Sequence, residues 1–191
     1  VGGGLGVSEN PSQRSLDIAA VNESLLRVKS AFPQLQIWME PGRYLVAESG
    51  VILARVTQVK DKNGVVFVGM EAGMNSLIRP ALYGAYHQIV PLSRQGHKDT
   101  RTQSKVDIVG PICESGDFLA KERLIAKVKE GDYLAVMSAG AYGFSMSSNY
   151  NSRLRAAEVM VAKDKVLVIR KRETAQDLVR NEVMVNKLTK L

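Results

Sequence analysis

The sequence predicts an α+β protein in which the last β/α units of a TIM-like α/β barrel are followed by a mostly antiparallel β domain. Two observations support this fold class. Before residue 46, a glycine turn, an amphipathic helix and a short apolar strand follow one another, as in one unit of a parallel α/β fold. After it, short runs rich in Val and Ile alternate with turn sequences. We therefore assign residues 1–45 to the C-terminal part of the barrel and residues 46–191 to the β domain.

Residues 15–32 have the pattern of an amphipathic helix. Ser15 is the predicted N-cap, Asp17 suits the positive end of the helix dipole, and Pro33 ends the helix. Apolar residues recur at spacings of three and four, which places them on one face of the helix. They are Ile18, Val21, Leu25, Val28 and Phe32.

The run "LQIWM" then predicts a short buried strand that leads into the sequence "EPGR". In (β/α) barrels, functional groups lie at the C-terminal ends of the strands. Glu40 and Arg43 occupy such a position and are therefore candidate site residues. An ordinary surface turn is the alternative.

Short strands are predicted throughout the second region. The turn sequences "DKNG", "KEGD" and "AKDK" separate several of them. The tail "TAQDLVRNEVMVNKL" is predicted to be helical or irregular. The predicted strands are "VILARVTQV", "VVFVG", "KVDIVG", "YLAVMSA", "AEVMVA" and "KVLVIRK".

Composition narrows the class of protein. The 191 residues are 45% hydrophobic and 24% charged, which is typical of a globular protein. One cysteine cannot form an internal disulfide, and no apolar run approaches the roughly 20 residues of a membrane span, so we expect a cytoplasmic protein without a membrane segment. The net charge is +7, and much of the excess of basic residues lies near the end of the chain, where acidic residues are interleaved with them. No nucleic-acid motif accompanies these residues, which favours a solvated face over a nucleic-acid site.

No spaced metal motif and no GxSxG nucleophile motif occurs in the sequence, so a metal site and a serine hydrolase are not expected. The chain opens on "VGGGLG", without the strand that normally precedes such a glycine turn. We therefore expect a longer protein to continue upstream of residue 1.

The glycine cluster Gly2, Gly3 and Gly4 is a candidate phosphate site, because glycines expose backbone N–H groups without a Cβ atom in the way. Arg43 can complete such a site by a charge-assisted contact. Glu40 beside it can meet a ring nitrogen or an ammonium group.

Three further candidates follow at spacings of four. Arg79 suits bidentate binding of a carboxylate, Tyr83 lies one helical turn later, and His87 is more readily explained as a structural or interface histidine than as a base. Near the end, Tyr142 stands between two glycines, where its ring and hydroxyl can contact a cofactor or simply pack.

The sequence "GPICESGD" contains the only cysteine, Cys113. A free cysteine is most often a small buried apolar residue. Here Pro, Gly and Ser surround it, which favours a loop, and loops on a rigid scaffold often contain functional groups.

Five motifs, in this order and at these separations, closely resemble the C-terminal part of the diaminopimelate decarboxylases. They are "GGGLG", "EPGRYLVAESG", "GMNSLIRPALYGAYH", "GPICESGD" and "GAYGFSMSSNYN". These enzymes use pyridoxal 5'-phosphate and combine an alanine-racemase-like barrel with a β domain. The resemblance covers nearly all of the chain except about the last twenty residues. It implies decarboxylation of meso-2,6-diaminopimelate to L-lysine and carbon dioxide, a step of lysine biosynthesis.

The resemblance also implies a role for each candidate of the cofactor and substrate site. Gly2, Gly3 and Gly4 would bind the cofactor phosphate, Glu40 the pyridine nitrogen, Arg43 the phosphate region and the substrate carboxylate, Arg79 and Tyr83 the substrate, and Tyr142 the cofactor.

Cys113 and Glu114 match a pair that reaches across a homodimer interface into the partner's active site. The glutamate would address the distal amino group of the substrate, and Cys113 is a candidate proton donor to the carbanion. Related ornithine decarboxylases have aspartate after the cysteine, so Glu114 favours diaminopimelate. The resemblance assigns no role to Asp117 or His87.

The Schiff-base lysine and the histidine stacked on the cofactor ring lie upstream of the glycine cluster in this family, so no lysine of this chain is assigned that role. We expect these residues alone to be inactive. The alternatives are another decarboxylase of the same fold, acting on ornithine, arginine or carboxynorspermidine, and a non-catalytic dimerising homologue.

Overall fold

Two stretches, residues 1–92 and 102–183, are described by the computed structural model of this chain. Single 3-10 turns lie at Ala47–Ser49 and Tyr150–Ser152. The helices are α1 (Ile18–Ala31), α2 (Gly42–Val46), α3 (Arg79–Tyr83) and α4 (Ala175–Val179). The strands are β1 (Ile52–Lys62), β2 (Val65–Met70), β3 (Ile89–Leu92), β4 (Gln103–Val109), β5 (Phe118–Ala126), β6 (Tyr133–Val136), β7 (Glu158–Ala162) and β8 (Lys165–Arg170).

Helix α1 confirms the predicted helix but begins later than expected. Its N-cap is Asp17, whose Oδ1 accepts a hydrogen bond from the backbone N–H of Ala20 at 3.0 Å, so the prediction of Ser15 as the N-cap is wrong. The short carboxylate of Asp17 satisfies one of the free N–H groups of the first turn. The helix ends before Pro33, and its apolar face is largely exposed, with Phe32 50% exposed.

The segment "LQIWM" forms no strand and none of its residues is buried, so the prediction of a buried strand is wrong. Trp38 is 77% exposed. A strand needs hydrogen-bonded neighbours, and within the described stretches this segment pairs only with the first two residues. The backbone N–H of Glu40 donates to the carbonyl of Val1 at 3.2 Å, and Gly2 forms a parallel bridge with Glu40. The order of glycine turn, helix and parallel extended segment is retained, while a complete barrel stays a prediction.

The β region is built on one six-stranded sheet of order β3-β6-β1-β2-β4-β5, in which only β2 and β4 pair in parallel. The six predicted strands are confirmed within it or in a second, two-stranded sheet. The predicted turn "DKNG" contributes its first two residues to β1, and the loop proper is Asn63-Gly64. Both loop residues have positive φ, at 55° and 82°, as a two-residue hairpin turn requires.

Two strands, β3 and β5, were not predicted from the sequence. Strand β3 contains Pro91, which is tolerated because β3 lies at the edge of the sheet order. Strand β5 contains the charged run Lys121-Glu122-Arg123, which breaks the apolar alternation. Glu122 has a φ of 51°, and its N–H donates to Oδ1 of Asp107 at 2.7 Å where the register with β4 shifts.

The sheet curls into a nearly closed barrel around the hydrophobic core. Its end strands approach each other, and Nη1 of Arg123 on β5 donates to the carbonyl of His87, just before β3, at 2.9 Å. The largest fully buried apolar side chains of this core are Val56, Val68, Met70, Leu77, Ile108, Leu119, Leu134 and Val136.

Strands β7 and β8 form a separate antiparallel ribbon through the two-residue loop Lys163–Asp164. The guanidinium of Arg170 on β8 lies 3.9 Å from the ring centroid of Phe144, and this cation–π interaction connects the ribbon to the loop that precedes it. Helix α4 follows, with a capping box at Thr174, so part of the predicted tail is helical. Residues 184–188 of that tail lie outside the described residues. In residues 1–92 and 102–183, no helix is long and apolar enough to cross a membrane.

Candidate functional site

The glycine cluster and Glu40 lie side by side. A Cβ atom at Gly2 would lie 3.6 Å from Oε2 of Glu40, and one at Gly3 would lie 3.5 Å from its carbonyl oxygen. Gly4 has a φ of 83°, in the left-handed region that favours glycine. Residues 38 positions apart in the chain are thus brought together by the parallel bridge between Gly2 and Glu40. The structure places the predicted phosphate turn next to the predicted partner of a ring nitrogen.

Arg43 and Arg79 share one carboxylate, that of Glu9. Oε1 of Glu9 accepts hydrogen bonds from Nη1 of Arg43 and from Nη2 of Arg79, the latter at 3.1 Å. Both arginines were predicted from the sequence, but Glu9 was not. The sequence feature that could have pointed to Glu9 is its position: it is an acidic residue in the loop after the glycine turn, at the same end of the predicted barrel unit as Arg43. Two guanidinium groups and one carboxylate leave this cluster with a net positive charge.

His87 binds the other side of Arg79. Its Nε2 lies 3.0 Å from Nη1 of Arg79, and its Nδ1 lies 2.9 Å from the carbonyl oxygen of Met137. Because a carbonyl can only accept, Nδ1 carries the proton and Nε2 accepts from the arginine. His87 is only 1% exposed, and this burial lowers the pKa of its imidazole below 6.5, which keeps the ring neutral.

Tyr142 completes this group of contacts. The guanidinium carbon of Arg79 lies 5.9 Å from the centroid of the Tyr142 ring, within the range of a cation–π interaction. Tyr142 has a φ of 63°, which is uncommon for a residue with a side chain. The residue is 43% exposed, so part of its surface is accessible to a ligand.

Tyr83 is not part of the cluster. It ends helix α3, which begins at Arg79, but its side chain is 64% exposed. No hydrogen bond within residues 1–92 and 102–183 holds its hydroxyl group.

The loop with Cys113 and Glu114 lies on the surface. Cys113 is exposed, so the alternative of a buried core cysteine is wrong. Oε1 of Glu114 accepts from the N–H of Gly116 at 3.2 Å, and Oε2 lies 3.4 Å from the hydroxyl of Tyr150. Within the described part of the chain, no hydrogen bond joins this loop to the cluster around Arg79.

Asp117, which had no assigned role, anchors that loop. It is 5% exposed, and its two carboxylate oxygens accept hydrogen bonds from the backbone N–H groups of Met74 and Ile112, each at 2.6 Å. The neighbouring glycines make room for it, because a Cβ atom at Gly73 or Gly110 would lie 2.2 or 2.3 Å from its Oδ1. Asp117 therefore ties the cysteine loop to the segment that leads into α3.

Comparisons with known proteins agree with this architecture. Residues 43–140, more than half of the chain, match the family described as "Pyridoxal-dependent decarboxylase, C-terminal sheet domain". The diaminopimelate decarboxylase of Aquifex aeolicus is 48% identical over 178 residues, which cover 91% of this chain and 40% of that protein. The chain thus spans well under half of this relative.

Solved structures give the same result. The diaminopimelate decarboxylase from M. jannaschi superposes with a TM-score of 0.87 at 36% identity, over 97% of this chain and 43% of that one. The enzyme from Helicobacter pylori, solved in complex with L-lysine, has a TM-score of 0.83 at 38% identity, over 94% of this chain and 43% of that one. The resemblance to the C-terminal part of these enzymes is therefore confirmed. This chain belongs to the pyridoxal-dependent decarboxylases and contains their C-terminal sheet domain.

Proposed function

We propose that this chain is the C-terminal part of an enzyme that decarboxylates meso-2,6-diaminopimelate to L-lysine and carbon dioxide. The observation that carries the proposal is the position of Glu40 beside the glycine cluster, with its carboxylate next to Gly2 and its backbone carbonyl next to Gly3. The diaminopimelate decarboxylases to which the chain is similar, one of them in complex with L-lysine, support the choice of substrate.

The residues fit pyridoxal 5'-phosphate. A Cβ atom at Gly4 would meet nothing within 4 Å, and Gly4 has a left-handed conformation, which occurs in turns whose backbone N–H groups bind phosphate. When bound, the cofactor supplies an electron-withdrawing ring that accepts the electrons released as the carboxyl group departs. Tyr142, which is partly exposed, would pack on the cofactor.

Glu40 would hold a proton on the pyridine nitrogen. Its carboxylate is exposed and, among the described residues, accepts no hydrogen bond, so it is able to accept one from a protonated ring nitrogen. A carboxylate stabilises a nearby positive charge and raises the pKa of the group that bears it. Glu40 thereby keeps the ring in the state that draws electrons most strongly.

Arg79 and Arg43 would bind the substrate carboxylate and the phosphate region. Arg79 is 9% exposed and is already oriented by Glu9 and His87. The net positive charge of the cluster matches an anionic group, and a guanidinium can bind a carboxylate with two hydrogen bonds. Tyr83, exposed at the end of α3, would contact the substrate from the outer side.

Cys113 and Glu114 would act in the active site of a second subunit. Both are exposed on a loop that the buried carboxylate of Asp117 holds in place. In the described stretches, neither is hydrogen-bonded to the Arg79 cluster of its own chain. Glu114 would pair with the distal ammonium group of the substrate, and Cys113 would donate a proton to the carbon that loses its carboxyl group. The enzyme would be a cytoplasmic homodimer, with residues 1–45 completing a barrel and residues 46–191 forming the β domain.

Subunit mixing tests the shared site. Full-length Cys113→Ala and Glu40→Gln subunits, each with little activity, are mixed, dissociated and reassociated. If Cys113 acts across the interface, half of the random dimers contain one intact site, and about a quarter of the wild-type activity returns. If Cys113 acts in its own subunit, no mixed dimer has an intact site and activity does not return.

A substrate panel tests the function itself. The full-length protein with pyridoxal 5'-phosphate is assayed on meso-2,6-diaminopimelate, L-ornithine, L-arginine and carboxynorspermidine. We expect kcat/KM to favour diaminopimelate by at least about 100-fold, because a charged pocket rejects substrates that leave its groups unpaired. Glu114→Asp should lower that ratio, whereas Glu130→Asp in an exposed turn should leave it unchanged. A preference for another substrate of the panel would overturn the proposed substrate. If none of the four substrates is turned over, the proposal that the protein is a decarboxylase is overturned.

A further inference from the structure

We propose that His87 is a positioning residue: it fixes the guanidinium group of Arg79 in the orientation that binds the substrate carboxylate. The inference rests on the proposed function of Arg79, and it gives His87 a role that the sequence motifs did not supply.

The ends of two paired strands hold the imidazole ring in place. His87 lies two residues before Ile89, the first residue of β3, and Met137 directly follows β6. Strands β3 and β6 pair antiparallel, and the N–H of Met137 donates to the carbonyl of Gln88 at 2.8 Å. The hydrogen bond from Nδ1 to the Met137 carbonyl therefore fixes the ring to the paired ends of β3 and β6 and directs Nε2 towards Arg79.

Among the described residues, this arrangement uses only a minority of the N–H donors of the Arg79 guanidinium. Of its five N–H donors, one on Nη1 is directed to His87 and one on Nη2 to Glu9. The other three N–H groups have no hydrogen-bond partner in residues 1–92 and 102–183, and they are enough for a bidentate contact with a carboxylate. His87 and Glu9 thus fix the plane of the guanidinium group from two sides and leave N–H donors for a ligand.

A neutral acceptor suits this role better than a second carboxylate. Glu9 already offsets part of the positive charge of Arg79, and it is shared with Arg43. A further negative charge would neutralise the cluster and weaken its attraction for an anion. Arg79, Glu9 and Arg123 are the charged groups that face His87, and burial together with both arginines lowers the pKa of the imidazole, so the ring orients Arg79 while leaving its charge intact.

The test uses the full-length enzyme and three substitutions. His87→Leu keeps a similar volume but removes the acceptor, and His87→Gln offers an amide oxygen in its place. We expect His87→Leu to raise the KM for diaminopimelate about tenfold with kcat changed less than about threefold, because Arg79 acts on substrate binding. His87→Gln should restore KM to within about threefold of the wild type.

A double substitution separates positioning from general damage. If His87 acts through Arg79, adding His87→Leu to Arg79→Lys should raise KM no further than Arg79→Lys alone, whereas independent effects multiply. Multiplying effects, or an unchanged KM in His87→Leu, overturn this inference while leaving the enzyme's function intact. Absence of diaminopimelate turnover in the wild type overturns both, and it is measured first.

Discussion

Nη2 of Arg79 lies 3.1 Å from Oε1 of Glu9, although 70 residues separate the two in the chain. The same carboxylate oxygen also accepts a hydrogen bond from Arg43. The loop that leaves the glycine turn is therefore joined both to the segment after Glu40 and to helix α3. This one carboxylate therefore joins Arg43, proposed for the phosphate region, to Arg79, proposed for the substrate.

Replacing Glu9 with Gln should strengthen the binding of anions. The amide keeps an acceptor oxygen but removes a negative charge from beside two guanidinium groups, so the inhibition constant of inorganic phosphate should fall about threefold at low salt. Kinetic inhibition of the full-length enzyme measures it. Glu23→Gln, on an exposed part of α1, is the control. Unchanged or weaker inhibition by phosphate in Glu9→Gln would show that the charge of Glu9 does not act on the site.

Replacing Glu40 with Gln should slow decarboxylation far more than it weakens substrate binding. An amide does not stabilise a protonated ring nitrogen, so kcat should fall by about 100-fold or more while KM changes much less. Glu48→Gln, exposed in the 3-10 turn after α2, should change neither constant. Similar losses in kcat and in substrate affinity would contradict the role of Glu40.

Replacing Gly110 with Ala should destabilise the cysteine loop. The new Cβ atom would lie 2.3 Å from Oδ1 of Asp117 and 2.4 Å from Cα of Gly73, so the loop has to shift, at a cost of about 2 kcal/mol in the free energy of unfolding. Gly116→Ala is a matched control in the same loop, because its Cβ atom would meet nothing closer than 3.9 Å. Urea unfolding compares the two variants. Equal stability of both would mean that Asp117 is not tightly enclosed.

Acidification should reduce stability through His87. In the unfolded chain the imidazole has a pKa near its ordinary value of 6.5, and burial lowers it in the folded state. As the pH falls below 6.5, the unfolded chain takes up a proton that the folded protein resists, so the free energy of unfolding decreases. Above that pH the contribution is fully present.

Thermal unfolding between pH 5 and pH 8 measures this effect. The carboxyl groups of Glu122 and Glu173 have lowered pKa values, through Lys105 and through the backbone N–H of Arg155 respectively, and their stabilisation is lost only below their ordinary value of 4.5. The loss between pH 6.5 and pH 5 should therefore be smaller in His87→Gln. An equal loss in the variant and the wild type would assign it to other groups.

Local patterns were enough to predict much of the fold. The spacing of Ile18 to Phe32 predicted α1, and the hairpin turn Asn63-Gly64 marked the junction of β1 and β2. Strand β5 was missed because its buried face depends on β4 beside it and not on its own alternation. The segment "LQIWM" shows the reverse. Its composition is that of a buried strand, but in these stretches only the first two residues pair with it as a neighbouring strand would.

The candidate site likewise contains some residues that the sequence predicted and others that it did not. Arg79 and Tyr142 were identified by their motifs, and the structure brings them together. Glu9, His87 and Asp117 could not be assigned from the sequence, because each acts through a contact with a distant part of the chain. Glu9 reaches Arg79, the carbonyl that orients His87 lies 50 residues away at Met137, and Asp117 reaches Met74, 43 residues away. No local spacing encodes such contacts.

The proposed function is tested most simply by incubating the full-length protein with pyridoxal 5'-phosphate and meso-2,6-diaminopimelate and quantifying both products. We predict L-lysine and carbon dioxide in equal amounts, with product formation nearly abolished in the Glu40→Gln variant. Wild-type protein that binds the cofactor but forms neither product would contradict the proposed function, and a Glu40→Gln variant as fast as the wild type would contradict the role of Glu40 in it.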